Sequence, residues 1–150
     1  MDVEQAKKIL ESGIPFVHRS GLRVLELARG RVRVCMPFAG NANHIGTLYA
    51  GALFTCAEIP GGALFLSSFD PARCYPVVKA LDLKFLRPAR SDVTLEIALS
   101  ETELQRIQAE LDAHGKAEFV LAGEIRDTAG VVVASSHGVY QLRRHPAAGG

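Results

Sequence analysis

The residue in this 150-residue chain that most invites chemistry is Glu58, the one charge in the run LYAGALFTCAEIPGGALFL at residues 48–66. An ionised carboxylate in apolar surroundings is costly to desolvate unless it is paired or faces a cleft. One reading is a structural acid hydrogen-bonded to neighbouring strands or capping a turn. The stronger reading is a nucleophile or general base, because lone charges in buried segments gather at functional sites. Pro60, two residues on, would open the helical ladder at the carbonyl of Cys56 and help expose Glu58 to a crevice. At the head of the same segment, Gly46-Thr47 supplies a helix start, with Thr47 as the expected cap. Leu48, Tyr49, Ala50 and Gly51 would then present unpaired N–H groups at the positive end of the helix dipole. Ala50 and Gly51 leave room for a carbonyl oxygen, which makes an oxyanion site; the same small residues would equally serve close packing on a sheet. Ala50 and Glu58 are separated by about 12 Å along a straight helix, so one carbonyl centre cannot touch both. Two antiparallel copies related by a two-fold axis would bring each N-terminus to the other copy's Glu58, in two equivalent sites.

The remaining reactive types carry less. His44, beside Asn43 in the Gly- and Asn-rich loop 38–46, could contact a substrate, although a lone loop histidine is more often structural. His137 falls in an alternating segment and reads as a packing residue. Cys56 reads as an inert buried thiol. Ser67 and Ser68 lack the G-x-S-x-G context of a nucleophile elbow. Arg87, Arg90, Arg143 and Arg144 could meet phosphates, or could be solvated strand ends. No metal, flavin or nucleotide fingerprint is visible, so no metal and no resident cofactor are expected.

These residues need elements to position them. Hydrophobic residues make up 48% of the chain and charged ones 22%, enough apolar material for one core and far from the signature of disorder. A net charge of +1 gives no electrostatic case for nucleic acid. Three cysteines without metal-like spacing fit a reducing cytoplasm better than a disulfide framework. No repeat or linker divides the sequence, and residues 1–150 read as one domain. Residues 1–13 form an amphipathic helix ended by Gly13 and Pro15, neither signal peptide nor anchor. Two alternating strands follow between 21 and 36, with Leu22, Val24 and Glu26 on one face of the first. The apolar run 48–66 is long enough to span a membrane. Its internal carboxylate, Pro60 and the alternating remainder of the chain favour a helix wrapped by a sheet, and no membrane partner is expected. Beyond it come strands at 77–87 and 93–99, a helix at 101–114 with Leu104, Ile107 and Leu111 on one stripe, and strands at 117–126 and 131–142. Residues 143–150 read as a flexible tail. An α+β fold satisfies this order, one antiparallel sheet curled around one long central helix.

The stretch Asn43-His44-Ile45-Gly46-Thr47-Leu48-Tyr49-Ala50-Gly51-Ala52-Leu53, followed by Ala57-Glu58, resembles the motif of hot-dog fold thioesterases of the phenylacetate-pathway type. That motif is an Asn, then Gly-Thr-Leu/Val-His-Gly-Gly, then an Asp or Glu seven residues past the second Gly. The strand order, the central helix and Leu83-Lys84-Phe85-Leu86-Arg87-Pro88-Ala89 are also similar. The likeness spans residues 20–142 at fold level, and the helix at 101–114 resembles an insertion in another branch of the superfamily. The resemblance implies an acyl-CoA thioesterase acting on a fatty or aryl acyl-CoA as a homodimer or homotetramer, with coenzyme A arriving only as part of the substrate. By position, Glu58 matches the catalytic carboxylate, Ala50 the Gly whose N–H polarises the thioester carbonyl, and Asn43 the Asn that helps place the water or the carboxylate. His44, Tyr49, Gly51, Arg87 and Arg90 are the expected substrate contacts. Tyr49 stands where the family has His, Ala50 where it has Gly, and Val78 where some relatives carry Ser or Thr. Those departures keep a second function open, a non-catalytic acyl or acyl-CoA binding module. A hydratase is a weaker third, because Asn43-His44 does not resemble the Asp/His pair that chemistry uses.

Overall fold

A computed structural model of the chain describes residues 1–147. Two short helices, α1 (Val3–Ser12) and α2 (Pro15–Ser20), precede a hairpin of β1 (Arg23–Ala28) and β2 (Arg31–Met36). The long helix α3 (Ala50–Ser68) follows, then β3 (Cys74–Phe85), β4 (Val93–Ala98), α4 (Glu101–His114), β5 (Lys116–Asp127) and β6 (Val132–Arg144). The strands form one antiparallel sheet in the order β1-β2-β4-β5-β6-β3. It curls around α3, which contacts all six strands. This is the α+β arrangement expected from the order of elements, and the hot-dog fold that the resemblance implies.

A helix that is apolar all round must be covered all round. Leu53, Cys56, Ile59, Ala63 and Leu64 of α3 are buried, packed with Val32, Val34, Leu95, Ile125 and Leu142 of the strands. By length and composition α3 could cross a membrane, yet most of it is buried inside the chain's own sheet. The helix runs through Pro60 unbroken. Gly61 and Gly62 set its close approaches: a Cβ on Gly61 would strike the ring of Tyr140, and one on Gly62 would meet Leu10 of α1 at 3.9 Å. All three cysteines are free and buried.

Several local expectations change. Pro15, read as a terminator, occupies the first turn of α2, a position where a proline's missing N–H breaks no helical bond. Gly21 closes that helix at φ 74, in the left-handed region. In β1 a bulge between Val24 and Glu26 moves the face by one residue. Leu27 is buried in place of Glu26, whose carboxylate instead meets Arg31 at 3.4 Å. β4 and β5 are in register only at Val93↔Asp127 and Thr94↔Arg126, and α4 packs Leu104, Ile107 and Leu111 against β5 and β6. β6 continues through Arg143 and Arg144, so these two residues are strand where a flexible tail was expected, and residues 148–150 of that expectation lie outside those described. His137 is exposed on β6 instead of packed, because Gly138 and Ser136 take the inward positions.

Candidate functional site

The loop before α3 is held by two asparagines. Asn41 Nδ2 donates to the carbonyls of Ser20 (2.7 Å) and Pro37 (2.8 Å). Asn43 Oδ1 accepts from the N–H groups of Ile45 (3.1 Å) and Thr47 (3.0 Å), while its Nδ2 donates to Thr47 Oγ1 at 2.8 Å. Thr47 is thereby spent inside the loop and does not cap the helix as expected; the N-cap is Tyr49, with φ −63 and ψ 138 and no side-chain capping bond. Three of the bonds made by Asn43 thus shape the turn that delivers the helix.

What the loop leaves open matters for chemistry. The Leu48 N–H donates to the Ala89 carbonyl and the Tyr49 N–H to the Asn41 carbonyl, each at 2.8 Å. The N–H groups of Ala52 and Leu53 both turn back to the Tyr49 carbonyl, at 3.0 and 3.2 Å. Among the described residues, the N–H groups of Ala50 and Gly51 have no partner. Two free donors at the positive end of a 19-residue helix can stabilise negative charge developing on a carbonyl oxygen. Beside them lies a groove of about 300 Å³ whose lining includes Asn43, Ala50, Leu53, Phe85, Leu86 and Arg87. The Tyr49 ring covers Gly51: a Cβ there would come within 2.5 Å of the ring Cε1. The missing side chain of Gly51 therefore makes room for Tyr49, while Ala50 faces the groove.

Glu58 lies two turns further along the same helix, half-buried. Among the described residues its carboxylate has neither a hydrogen-bond nor an ion-pair partner, and burial raises its pKa above the usual carboxylate value. The Tyr140 hydroxyl donates to the Glu58 main-chain carbonyl at 3.4 Å. Burial, with a further contribution from the Glu58 charge, pushes the Tyr140 phenol up to about 12, so it stays protonated. Val78, opposite Tyr140 on β3, is 46% exposed. The Cys56 thiol, fully enclosed, is pushed up to about 12 by burial and secondarily by Cys35, which makes it a poor nucleophile. Among the described residues no group of three His, Cys, Asp or Glu side chains could hold a metal ion.

Of the residues expected from sequence, the structure brings Asn43, Ala50 and Arg87 to one groove. His44, Tyr49 and Arg90 are exposed outside its lining, Gly51 sits under the Tyr49 ring, and Glu58 is held apart from Ala50 by the straight run of the helix. Sequence reasoning missed Tyr140, whose approach to Glu58 joins residues 82 positions apart and leaves no local signal. It also missed Leu53, Phe85 and Leu86 as groove walls. For the last two, the apolar end of the strand running into Pro88 was the available clue.

No curated protein matches the chain. A family model described as a domain of unknown function, DUF4442, matches residues 4–140. Among solved structures, one of a Pseudomonas aeruginosa protein described as a probable thioesterase of unknown function is 51% identical, covers 97% of each chain and superposes with a TM-score of 0.93. A thioesterase from Haemophilus influenzae is similar in fold at 15% identity, with a TM-score of 0.75 over 100% of this chain and 96% of that one. A mutant thioesterase from Pseudomonas aeruginosa is likewise similar at 18% identity, with a TM-score of 0.73 over 96% of this chain and 95% of that one.

Proposed function

Starting from the premise that the chain belongs to the DUF4442 family and has the hot-dog fold, we propose that it is a thioesterase hydrolysing a fatty or aryl acyl-CoA in a site shared between two subunits. The observation that carries the reading is the division of labour along α3. Its N-terminus holds two free N–H donors beside a mostly apolar groove, and its middle holds a carboxylate without a partner. The two are separated by about 12 Å along one axis, too far for a single reacting centre. A two-fold dimer with antiparallel copies of α3 joins them.

In that dimer the thioester carbonyl oxygen accepts from the Ala50 N–H, and the acyl chain lies along Leu53, Phe85 and Leu86. Glu58 of the partner subunit takes a proton from water as the water oxygen bonds to the carbonyl carbon. Collapse of the tetrahedral intermediate breaks the C–S bond, and the thiolate leaves and is protonated. The same carboxylate could instead attack the carbonyl carbon directly, giving an anhydride that water then opens. Arg87 at the groove, with Arg90 nearby in sequence, suits the phosphates of coenzyme A, which enters as part of the substrate. His44 and Tyr49 would contact the substrate from the rim, and neither mechanism uses a resident cofactor. Three buried free thiols suit a reducing cytoplasm.

Val78 favours a second reading. It sets an apolar side chain opposite Tyr140 where a hydroxyl would help hold water, which suits a module that binds acyl-CoA without cleaving it. One experiment separates the two: an acyl-CoA panel of varied chain length and aryl groups, with free-thiol detection, run on the parent and on Glu58→Ala. The enzyme reading expects thiol release from at least one substrate and its loss in the variant. Parent-rate hydrolysis by Glu58→Ala refutes the role of Glu58, and tight binding with no thiol release supports the module.

A further inference from the structure

At the far end of the sheet from the groove, we propose a second binding site, one that takes a phosphate-bearing small molecule. It is a basin of about 520 Å³ on the outer face of β3, β5 and β6, whose lining includes Tyr75, Lys79, His114, Lys116, Gln141 and Arg143. Among the described residues, no carboxylate lines it. Along β3, Tyr75 is roughly 30 Å from Phe85 at the groove, so within one protomer the two sites are distinct.

The register makes the argument. Lys116 of β5 sits directly opposite Arg143 of β6, and Tyr75 of β3 sits opposite Arg143 on its other side. Like charges directly opposite one another destabilise an antiparallel pair. Here the nearby acids are already engaged: Glu118 meets Lys79 at 2.7 Å and Asp112 meets Arg73 at 3.0 Å. Among the described residues Lys116 and Arg143 form no ion pair. An anion bridging them relieves a repulsion built into the sheet.

The surroundings favour a phosphate over a diffuse counter-ion. Arg143 Nε donates to Oε1 of Gln141 at 2.8 Å, and Gln141 is buried. That bond steadies the guanidinium, and among the described residues its two terminal nitrogens have no partner, which suits the two-pronged contact that phosphate oxygens accept. Arg144, also in the lining, is committed elsewhere. Its Nη2 donates to the carbonyls of Leu111 (2.9 Å) and Asp112 (2.7 Å) at the end of α4, which offsets a helix terminus that would otherwise repel an anion. Tyr75, tilted against His145 with ring centroids 5.2 Å apart, supplies a flat wall for an attached ring. The phosphate could belong to a free metabolite or to the phosphorylated adenosine of coenzyme A, and the chemistry recognised is the same. The site does not depend on thioester hydrolysis.

The test is isothermal titration of the full chain at low ionic strength in a phosphate-free buffer, with inorganic phosphate, adenosine 3′,5′-bisphosphate and coenzyme A as separate probes. The parent should bind at least one of them saturably, and Lys116→Gln/Arg143→Gln should bind it at least about tenfold more weakly. That variant should melt no lower than the parent, so that lost binding is not lost folding. Arg143→Lys, which keeps the charge and removes the fork, should fall between the two. Tighter binding of the bisphosphate and coenzyme A than of phosphate identifies the nucleotide end as the source; equal binding identifies free phosphate. No saturable binding by any probe, or parental affinity in the double variant, overturns the site whether or not the protein hydrolyses thioesters.

Discussion

Proline at position 50 would remove the proposed oxyanion donor while keeping the helix start. Position 50 is the first residue of α3, where the fixed φ of proline is already helical and its missing N–H breaks no helical bond. Tyr49 ahead of it has φ −63 and ψ 138, the extended geometry that a following proline requires. Loss of one oxyanion donor costs about 2.7–4 kcal/mol, or about 100- to 1,000-fold in kcat. The Gly51 N–H next door places Ala50→Pro at the lower end of that range. The decisive step is to co-express Ala50→Pro with Glu58→Gln under two affinity tags and purify the heterodimer through both. If each site draws Ala50 from one subunit and Glu58 from the other, one site carries both lesions and its twin is intact. The heterodimer should then hydrolyse acyl-CoA at about half the parental rate, while both homodimers are nearly inactive. The reverse control pairs a parental subunit with one carrying both substitutions; each site then holds one lesion, and activity should vanish. A silent first heterodimer with a half-active second would refute the shared site, because that pattern belongs to a site complete within one protomer.

Two further outcomes follow from burial. The pKa of Glu58 is raised by desolvation, so the folded state holds its proton more tightly than the unfolded chain, and stability falls as pH rises through the window between the two values. Glu58→Gln should therefore stabilise the protein by about 0.5–2 kcal/mol at neutral pH, a gain that fades as pH falls towards the ordinary carboxylate value of about 4. Denaturant melts at both pH values check this, and an equal gain at each would contradict it. Gly61→Ala should destabilise by about 1–3 kcal/mol, because its methyl group is driven into the Tyr140 ring. Combining it with Tyr140→Leu should cost less than the sum of the single changes, and strict additivity would show that the contact is not the cause.

The order of the strands and of α1, α3 and α4, and the sheet wrapped around one helix, were legible from periodicity and punctuation, whereas α2 was hidden because Pro15 reads as a stop. The stripe Leu104, Ile107 and Leu111 marks α4, because hydrophobic period acts within one or two turns; its cap, Ser100, whose side chain accepts from the Glu103 N–H, emerged only with the structure. Glu58 stood out for a similar reason, as a charge where desolvation is expensive. Other features were decided elsewhere. Whether Thr47 or Tyr49 capped α3 depended on the Asn43 side chain capturing the Thr47 hydroxyl first. Which residue of β1 faced inward depended on a bulge formed against β2. The placing of Tyr140 beside Glu58, and of Lys116 opposite Arg143, depended on how distant strands came into register. By itself, then, the sequence determined most of the elements and the residue types with unusual chemistry, since hydrophobic period is short-range. Only the tertiary structure decided which donors stay free and which charges face one another, since those follow from contacts between residues far apart along the chain.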